Sequence, residues 1–253
     1  MSTVKPYRVG ALLVHGLNGN KDDMEDVAEV LLACGIAVEN MVLPGHGTHV
    51  REMFSLGWSE WAEAVKCELR ALKERCDSVF LIGHSLGGAL CLHTAAHEEV
   101  AGVVALCPPL DMHPLMLPAV QFVKRITPVL PTIREDICDP SARSRDARII
   151  HGWTPMAPVE SMLQYLPQLR EELLLIKVPV LVIVATHDHV VPARDGQEIY
   201  QLLGSQEKDL VTLHRSYHVV MKDYDREEVF ARTLEFIQRS LNYGEDDAID
   251  QIA

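Results

Sequence analysis

Val79-Phe80-Leu81-Ile82-Gly83-His84-Ser85-Leu86-Gly87-Gly88 is the stretch that decides how this chain is read. Four apolar residues of a buried strand run into a glycine-flanked serine, and helical spacing starts at Leu86. A serine held at the tip of a sharp strand-to-helix turn needs glycine two positions before and after it, because side chains there would clash across the turn. Such a turn lifts the Ser85 hydroxyl to the carboxyl edge of a sheet. It also sets that hydroxyl at a helix N-terminus, where the dipole favours developing negative charge. Gly-x-Ser-x-Gly by itself also occurs in ordinary turns. Its placement between strand and helix makes Ser85 the candidate nucleophile.

Outward from this turn, short β-branched runs alternate with longer segments of helical periodicity, the sequence form of a parallel sheet covered on both faces. Strands are expected at Arg8 to Val14, Ile36 to Val42, Ser78 to Ile82, Val100 to Leu106, Val178 to Ala185 and Asp209 to Leu213. Helices are expected at Lys21 to Ala33, Trp58 to Cys76, Leu86 to His97, Ala193 to Leu203 and Asp225 to Leu241. The fold class is therefore α/β, with a mostly parallel central sheet of about six or seven strands and helices on both faces. Between Pro108 and Pro167 lie ten of the fourteen prolines. Proline removes a backbone donor and clashes inside helices, so this stretch reads as a small cap of short helices over the sheet edge rather than one crossover helix. It carries Lys124, Arg125, Arg134, Arg143, Arg145 and Arg148. The expected division is a core of residues 1–108 and 168–243, a cap at 109–167, and a flexible acidic tail at 244–253.

A serine hydroxyl at neutral pH needs a base within reach and an acid to orient that base. Asp188 follows the apolar run Val180-Leu181-Val182-Ile183-Val184 and so falls at the same sheet edge as Ser85. Asp111, just past the preceding strand, is a rival acid. His218 lies after the last strand and before the C-terminal helix, and the order Ser, Asp, His selects it from twelve histidines. His214, directly at the end of that strand, is the weaker candidate for the base. For a tetrahedral intermediate, the amide of Leu17 in His15-Gly16-Leu17-Asn18-Gly19 can face the amide of Leu86 as an oxyanion hole. His15 is read as a structural residue that holds this loop. From the apolar stripe Met112, Leu115, Met116, Leu117, Val120, Phe122, Val123, the residues Met112, Leu115, Met116 and Val120, together with His84 and Val190, form the expected substrate-binding surface, with ordinary cap packing as an equal reading of the stripe.

Other chemistries find less support. Metal ligation by His46, His49, His187 and His189 would need H-x-x-x-H on a helix or a zinc-type Cys/His pairing, which these four do not provide and which is not expected elsewhere in the chain, so neither metal nor cofactor is expected. The G-x-x-x-x-G-K-[ST] and G-x-G-x-x-G phosphate loops are absent. A formal net charge of -13 in 253 residues repels nucleic acid and anionic bilayers. The apolar runs are strand-sized, too short for membrane insertion. No secretory signal is read at the N-terminus, and six cysteines without close spacing are read as reduced core residues of a cytoplasmic protein. Its expected partner is a small-molecule acyl ester, and its expected state is a monomer or homodimer.

In combination, Leu12-Leu13-Val14-His15-Gly16-Leu17-Asn18-Gly19, Gly45-His46-Gly47-Thr48-His49, the serine turn, Asp188-His189-Val190-Val191-Pro192, and Ser216-Tyr217-His218-Val219 with Asp223-Tyr224-Asp225 resemble the α/β-hydrolases. More narrowly, they resemble small bacterial carboxylesterases and monoacylglycerol lipases. The resemblance implies cofactor-free hydrolysis of short- to medium-chain acyl esters under a mobile cap, with Ser85, Asp188 and His218 as nucleophile, acid and base and Leu17 and Leu86 as oxyanion donors. Two departures stand out. The family's N-terminal edge strand is shortened to Val4 to Tyr7 or missing. His151-Gly152-Trp153 also stands where monoglyceride-hydrolysing members tend to present a polar or acidic residue, which favours carboxylesterase over monoacylglycerol lipase. Thioester or carbon-carbon bond hydrolysis and a silent binding protein on the same fold are the alternatives. Because a histidine base must be neutral, activity is expected to fall below roughly pH 6 to 7.

Overall fold

The computed structural model describes residues 5–111, 113–132, 136–145 and 152–250, the last nine of these by backbone alone. Six strands form one parallel sheet in the order β2-β1-β3-β4-β7-β8: β1 (Tyr7–Val14), β2 (Ala37–Asn40), β3 (Cys76–His84), β4 (Gly102–Leu106), β7 (Val180–Ala185) and β8 (Lys208–Leu213). Period-two alternation sorts their side chains into two cores. Leu12, Leu81, Val103 and Val182 point to one face, and Leu13, Phe80, Val104 and Ile183 to the other. The first core packs under α2 (Trp58–Lys73), α3 (Leu86–His97) and α7 (Ala193–Leu202). The second packs under α1 (Glu25–Ala33) and α8 (Arg226–Asp250). Central strands β4 and β7 are buried along their whole length, whereas the edge strands β2 and β8 are mostly half-buried. That is why the central strands read as unbroken apolar runs.

The strand order reverses between β1 and β3, and the loops after these strands carry Leu17 and Ser85. In open α/β sheets such a switch point opens a crevice at the carboxyl edge, which makes it the natural place for a ligand. Tyr7 belongs to β1 itself, so no separate strand precedes β1 among the described residues, and Val4 lies outside them. The backbone of α8 stays helical to Asp250, beyond the Leu241 end expected from periodicity.

The cap differs from the run of short helices expected for it. It contains α4 (Met116–Lys124), a two-stranded antiparallel ribbon of β5 (Val129–Pro131) and β6 (Trp153–Pro155), α5 (Pro140–Arg145), and the long α6 (Met156–Glu172). Proline tolerance explains α6. Pro158 falls in the first turn, where N–H groups have no helical acceptor, and only Pro167 interrupts the ladder further in. The three-residue ribbon strands are too short, and too rich in proline, to show alternation. We propose the cap as residues 109–167 between the two core segments, with its second boundary lying inside α6. Lys124 pairs with Glu160 and joins α4 to α6, while Arg170 pairs with Glu198 and joins α6 to α7. Arg134 and Arg148 lie outside the described residues.

Candidate active site

Ser85 is the N-cap of α3 and has φ +53°, a left-handed conformation that a residue with a side chain adopts only when its surroundings impose it. Its amide donates to the Leu106 carbonyl at 2.8 Å. Glycine is required on both sides of the turn: a Cβ on Gly83 would collide with the Gly87 backbone, and one on Gly87 with the Val14 carbonyl. Leu86 follows as the first residue of α3, so its amide is one of those left without a helical acceptor.

Ser85, His218, Leu17, His84 and Val190 line one cavity of about 360 Å³. His218 is 4% exposed, and its Nδ1 lies 2.6 Å from Asp188 Oδ2. Asp188 Oδ1 accepts from the amides of Val190 at 2.8 Å and Val191 at 2.9 Å. Burial pushes the Asp188 pKa up, but the neighbouring imidazole and these hydrogen bonds outweigh it and hold the carboxyl below its ordinary value. An ionised Asp188 fixes the Nδ1–H tautomer of His218, leaving Nε2 to accept a proton. Asp111 is not part of this arrangement. It is exposed, and its amide donates to Asp195 Oδ2.

Several supporting residues carry no local sequence signal. Cys107, at φ +48° after β4, lies with Asp188 and His218, their ligand atoms all within 4.8 Å of one another. Burial, reinforced by the Asp188 charge, raises its thiol pKa well above the ordinary value, so the S–H stays on and faces the carboxylate. His84 Nε2–H donates to the His218 carbonyl at 3.1 Å, so His84 holds the base loop as well as lining the cavity. Asp223 accepts from the amides of Cys138, Asp139, Tyr217 and Tyr224 at 2.6 to 2.9 Å, tying the cap to the loop that carries His218. Asp225 accepts from the Arg215 amide and the Ser216 hydroxyl in the same loop.

The apolar wall is not the expected one. Leu130 and Pro131 from the ribbon and Met156 and Met162 from α6 line the cavity. Leu115 is 68% exposed, and Met116 and Val120 pack α4 against the core from outside rather than lining the cavity. Met116 and Val120 are therefore packing residues here, Leu115 faces solvent, and Met112 lies outside the described residues. None of Lys124, Arg125, Arg143 or Arg145 lines the cavity. Asn18, Thr132, Thr154 and Asp136 give its rim polar character, with Thr154 Oγ1 accepting from Asn18 Nδ2 at 2.8 Å and lying 2.7 Å from Thr132 Oγ1.

His15 is fully buried. Its Nδ1–H donates to the Gly16 carbonyl at 2.8 Å, and its Nε2 accepts from the Leu43 amide at 3.1 Å, so it pins the loop that carries Leu17. Burial, aided by His46, lowers its pKa from 6.5 to about 3. The folded protein thus refuses a proton that the unfolded chain takes up below pH 6.5, and stability is lost as pH falls from there toward 3. Each pH unit in that window costs about 1.4 kcal/mol. The melting temperature is expected to drop steeply on acidification to about pH 4.5, and a His15→Gln variant is expected to show a flatter acid limb. Parallel limbs for the two proteins would contradict this origin.

A doubly covered parallel sheet, a strained serine between strand and helix, and a later carboxylate and histidine in hydrogen-bonded contact define the α/β-hydrolase class of serine hydrolases. Comparison with known proteins narrows the class. The chain belongs to the family described as serine aminopeptidase, S33, which matches residues 7–225. It is 32% identical to a thermostable monoacylglycerol lipase of Bacillus sp. (strain H-257) over 91% of each chain. It is 25% identical to a carboxylesterase of Bacillus subtilis (strain 168), covering 94% of this chain and 97% of that one. Among solved structures, one from work on LipS and LipT, two metagenome-derived lipolytic enzymes, superposes with a TM-score of 0.85 at 33% identity, covering 93% of this chain and 95% of that one. A monoacylglycerol lipase of Paleococcus ferrophilus shares the fold with a TM-score of 0.79 at 24% identity, over 93% and 96% of the two chains. Among the described residues, no helix is long and apolar enough to cross a membrane.

Proposed function

We propose that the protein hydrolyses carboxylic esters of short- to medium-chain acyl groups, with Ser85 as nucleophile, His218 as general base and acid, and Asp188 as its orienting carboxylate. The observation that carries this reading is the 2.6 Å contact of His218 Nδ1 with a carboxylate, in a cavity that Ser85 shares. Ser85 Oγ attacks the acyl carbonyl and passes its proton to His218 Nε2, while the amides of Leu17 and Leu86 receive the oxyanion. The intermediate collapses, His218 returns the proton to the leaving alkoxide, and an alcohol departs. Water, deprotonated by the same imidazole, then cleaves the acyl-enzyme and frees the acid and Ser85. The wall of Leu130, Pro131, Met156 and Met162 suits a flexible acyl chain, because thioether side chains adapt to irregular apolar partners. p-Nitrophenyl butyrate and octanoate are expected to exceed the palmitate ester in kcat/KM by about tenfold or more. A profile still rising at palmitate would remove the chain-length part of the proposal.

Monoacylglycerol is a second reading, favoured by the polar rim of Asn18, Thr132, Thr154 and Asp136, whose hydroxyl, amide and carboxylate groups can bind the free hydroxyls of a glycerol leaving group. Comparing 1-monolauroylglycerol with methyl laurate separates the two readings, since only the first offers those hydroxyls. Six free cysteines support a reducing compartment such as the cytoplasm, where the protein acts as a monomer or homodimer.

A further inference from the structure

Away from this cavity, α3 and α6 bring together a set of groups that ester hydrolysis does not use. Contrary to the expectation that no such pair is present, His93 and His97 form an H-x-x-x-H pair on α3 and sit one turn apart on the same helix face. Opposite them is Glu172, the last residue of α6, with a carboxylate only 6% exposed. Its Oε2 lies 2.7 Å from His93 Nδ1, and its Oε1 lies 3.2 Å from His97 Nε2. All three ligand atoms lie within 4.8 Å of one another. Burial raises the Glu172 pKa, but hydrogen bonds from His93 and Tyr165 outweigh it and keep the carboxyl below its ordinary value, and thus ionised at neutral pH.

From this geometry we infer that His93, His97 and Glu172 form a binding site for a divalent first-row transition ion, above all Zn²⁺. Two imidazoles and one carboxylate are a donor set that such ions favour over Mg²⁺ or Ca²⁺, which take oxygen ligands. Ligand bonds of about 2.0–2.2 Å in a tetrahedron need donor atoms about 3.3–3.6 Å apart, so the 2.7 Å contact opens by roughly 0.6–0.9 Å as the ion enters. The surroundings are built to orient the ligands. Tyr165 Oη donates to Glu172 Oε1 at 2.8 Å, Gln168 Nε2 donates to the same oxygen at 2.9 Å, and Trp58 stacks on Tyr165 with ring centroids 4.3 Å apart. A cavity of about 390 Å³ adjoins the cluster and is lined by both histidines. With His97 nearly half exposed, it gives the ion an entry path and leaves room for water as a fourth ligand.

The ion's role is structural. Ser85 caps one end of α3 and the pair stands roughly 12 to 18 Å further along it, so a bound ion links the helix carrying Ser85 to the helix by which the cap rejoins the core. Metal-free protein titrated with CoCl₂ is expected to bind one ion, with the visible absorption of a four- or five-coordinate site. ZnCl₂ at about a hundred times its Kd is expected to raise the melting temperature by about 5 °C or more, reversibly with EDTA. His97→Gln, at a half-exposed position that folding tolerates, is expected to weaken Co²⁺ binding about a hundredfold or more, and Glu172→Gln likewise. p-Nitrophenyl butyrate hydrolysis by His97→Gln is expected to stay at the metal-free wild-type level, which separates failure of this site from failure of the ester reading. Absence of the Co²⁺ band in the wild type would leave a plain hydrogen-bond network and overturn the inference. A band of equal affinity in His97→Gln and Glu172→Gln would place the ion elsewhere and overturn it too.

Discussion

Ser85→Ala is expected to lower kcat on p-nitrophenyl butyrate by at least ~10⁴-fold, with KM changed little. Alanine keeps the backbone of the turn and the cavity beside it, and removes only the oxygen proposed to form the acyl-enzyme. The amides of Leu17 and Leu86, the proposed oxyanion donors, are left in place, so a small residual rate over water is expected rather than zero. Covalent labelling by a fluorophosphonate should disappear in the same variant while its melting temperature stays within a few degrees of wild type. Retained labelling would move the nucleophile to another residue, and full activity would end the assignment.

Asp188→Asn is expected to cost about 10³–10⁴ in kcat by a different route. The Oδ1 of asparagine can still accept from Val190 and Val191, so the loop survives. Its amide group, however, turns N–H hydrogens toward His218 Nδ1. That nitrogen must then accept, the imidazole proton moves to Nε2, and Nε2 can no longer serve as the proposed base. Lost turnover with an intact fold and much slower fluorophosphonate labelling is the expected pattern. If the asparagine variant kept near-wild-type turnover, Asp188 would have no orienting role and the acid would have to be sought elsewhere.

Much of this site is legible in the chain because each of its principal groups follows a strand whose period-two or fully apolar pattern is plain. Strands β3 and β7 are buried on both faces, so their ends, and with them Ser85 and Asp188, are marked within a residue or two. His218 follows from chain order. The ribbon of β5 and β6 is not legible, since three residues containing proline show no period, and the part of the cavity wall that it supplies carries no sequence signal. Contacts between distant residues are equally silent. Glu172 meets His93 across 79 positions and Asp223 meets Cys138 across 85, and no local pattern marks either pair. Cys107 reads as one more core cysteine until the structure sets it beside Asp188. His93 and His97 are the exception, because their spacing is visible in the sequence once α3 is taken as a helix.

Asp223 also bears on the order in which the protein is made. The amides of Cys138 and Asp139 emerge from the ribosome long before the carboxylate that will receive them, and Tyr217 and His218 emerge only a few residues ahead of it. With synthesis running from the N-terminus and domains folding as their contacts become available, this part of the cap has no carboxylate to dock on until the final quarter of the chain is out. The serine turn is made early, but the catalytic competence of a newly made chain waits for the last segment to arrive.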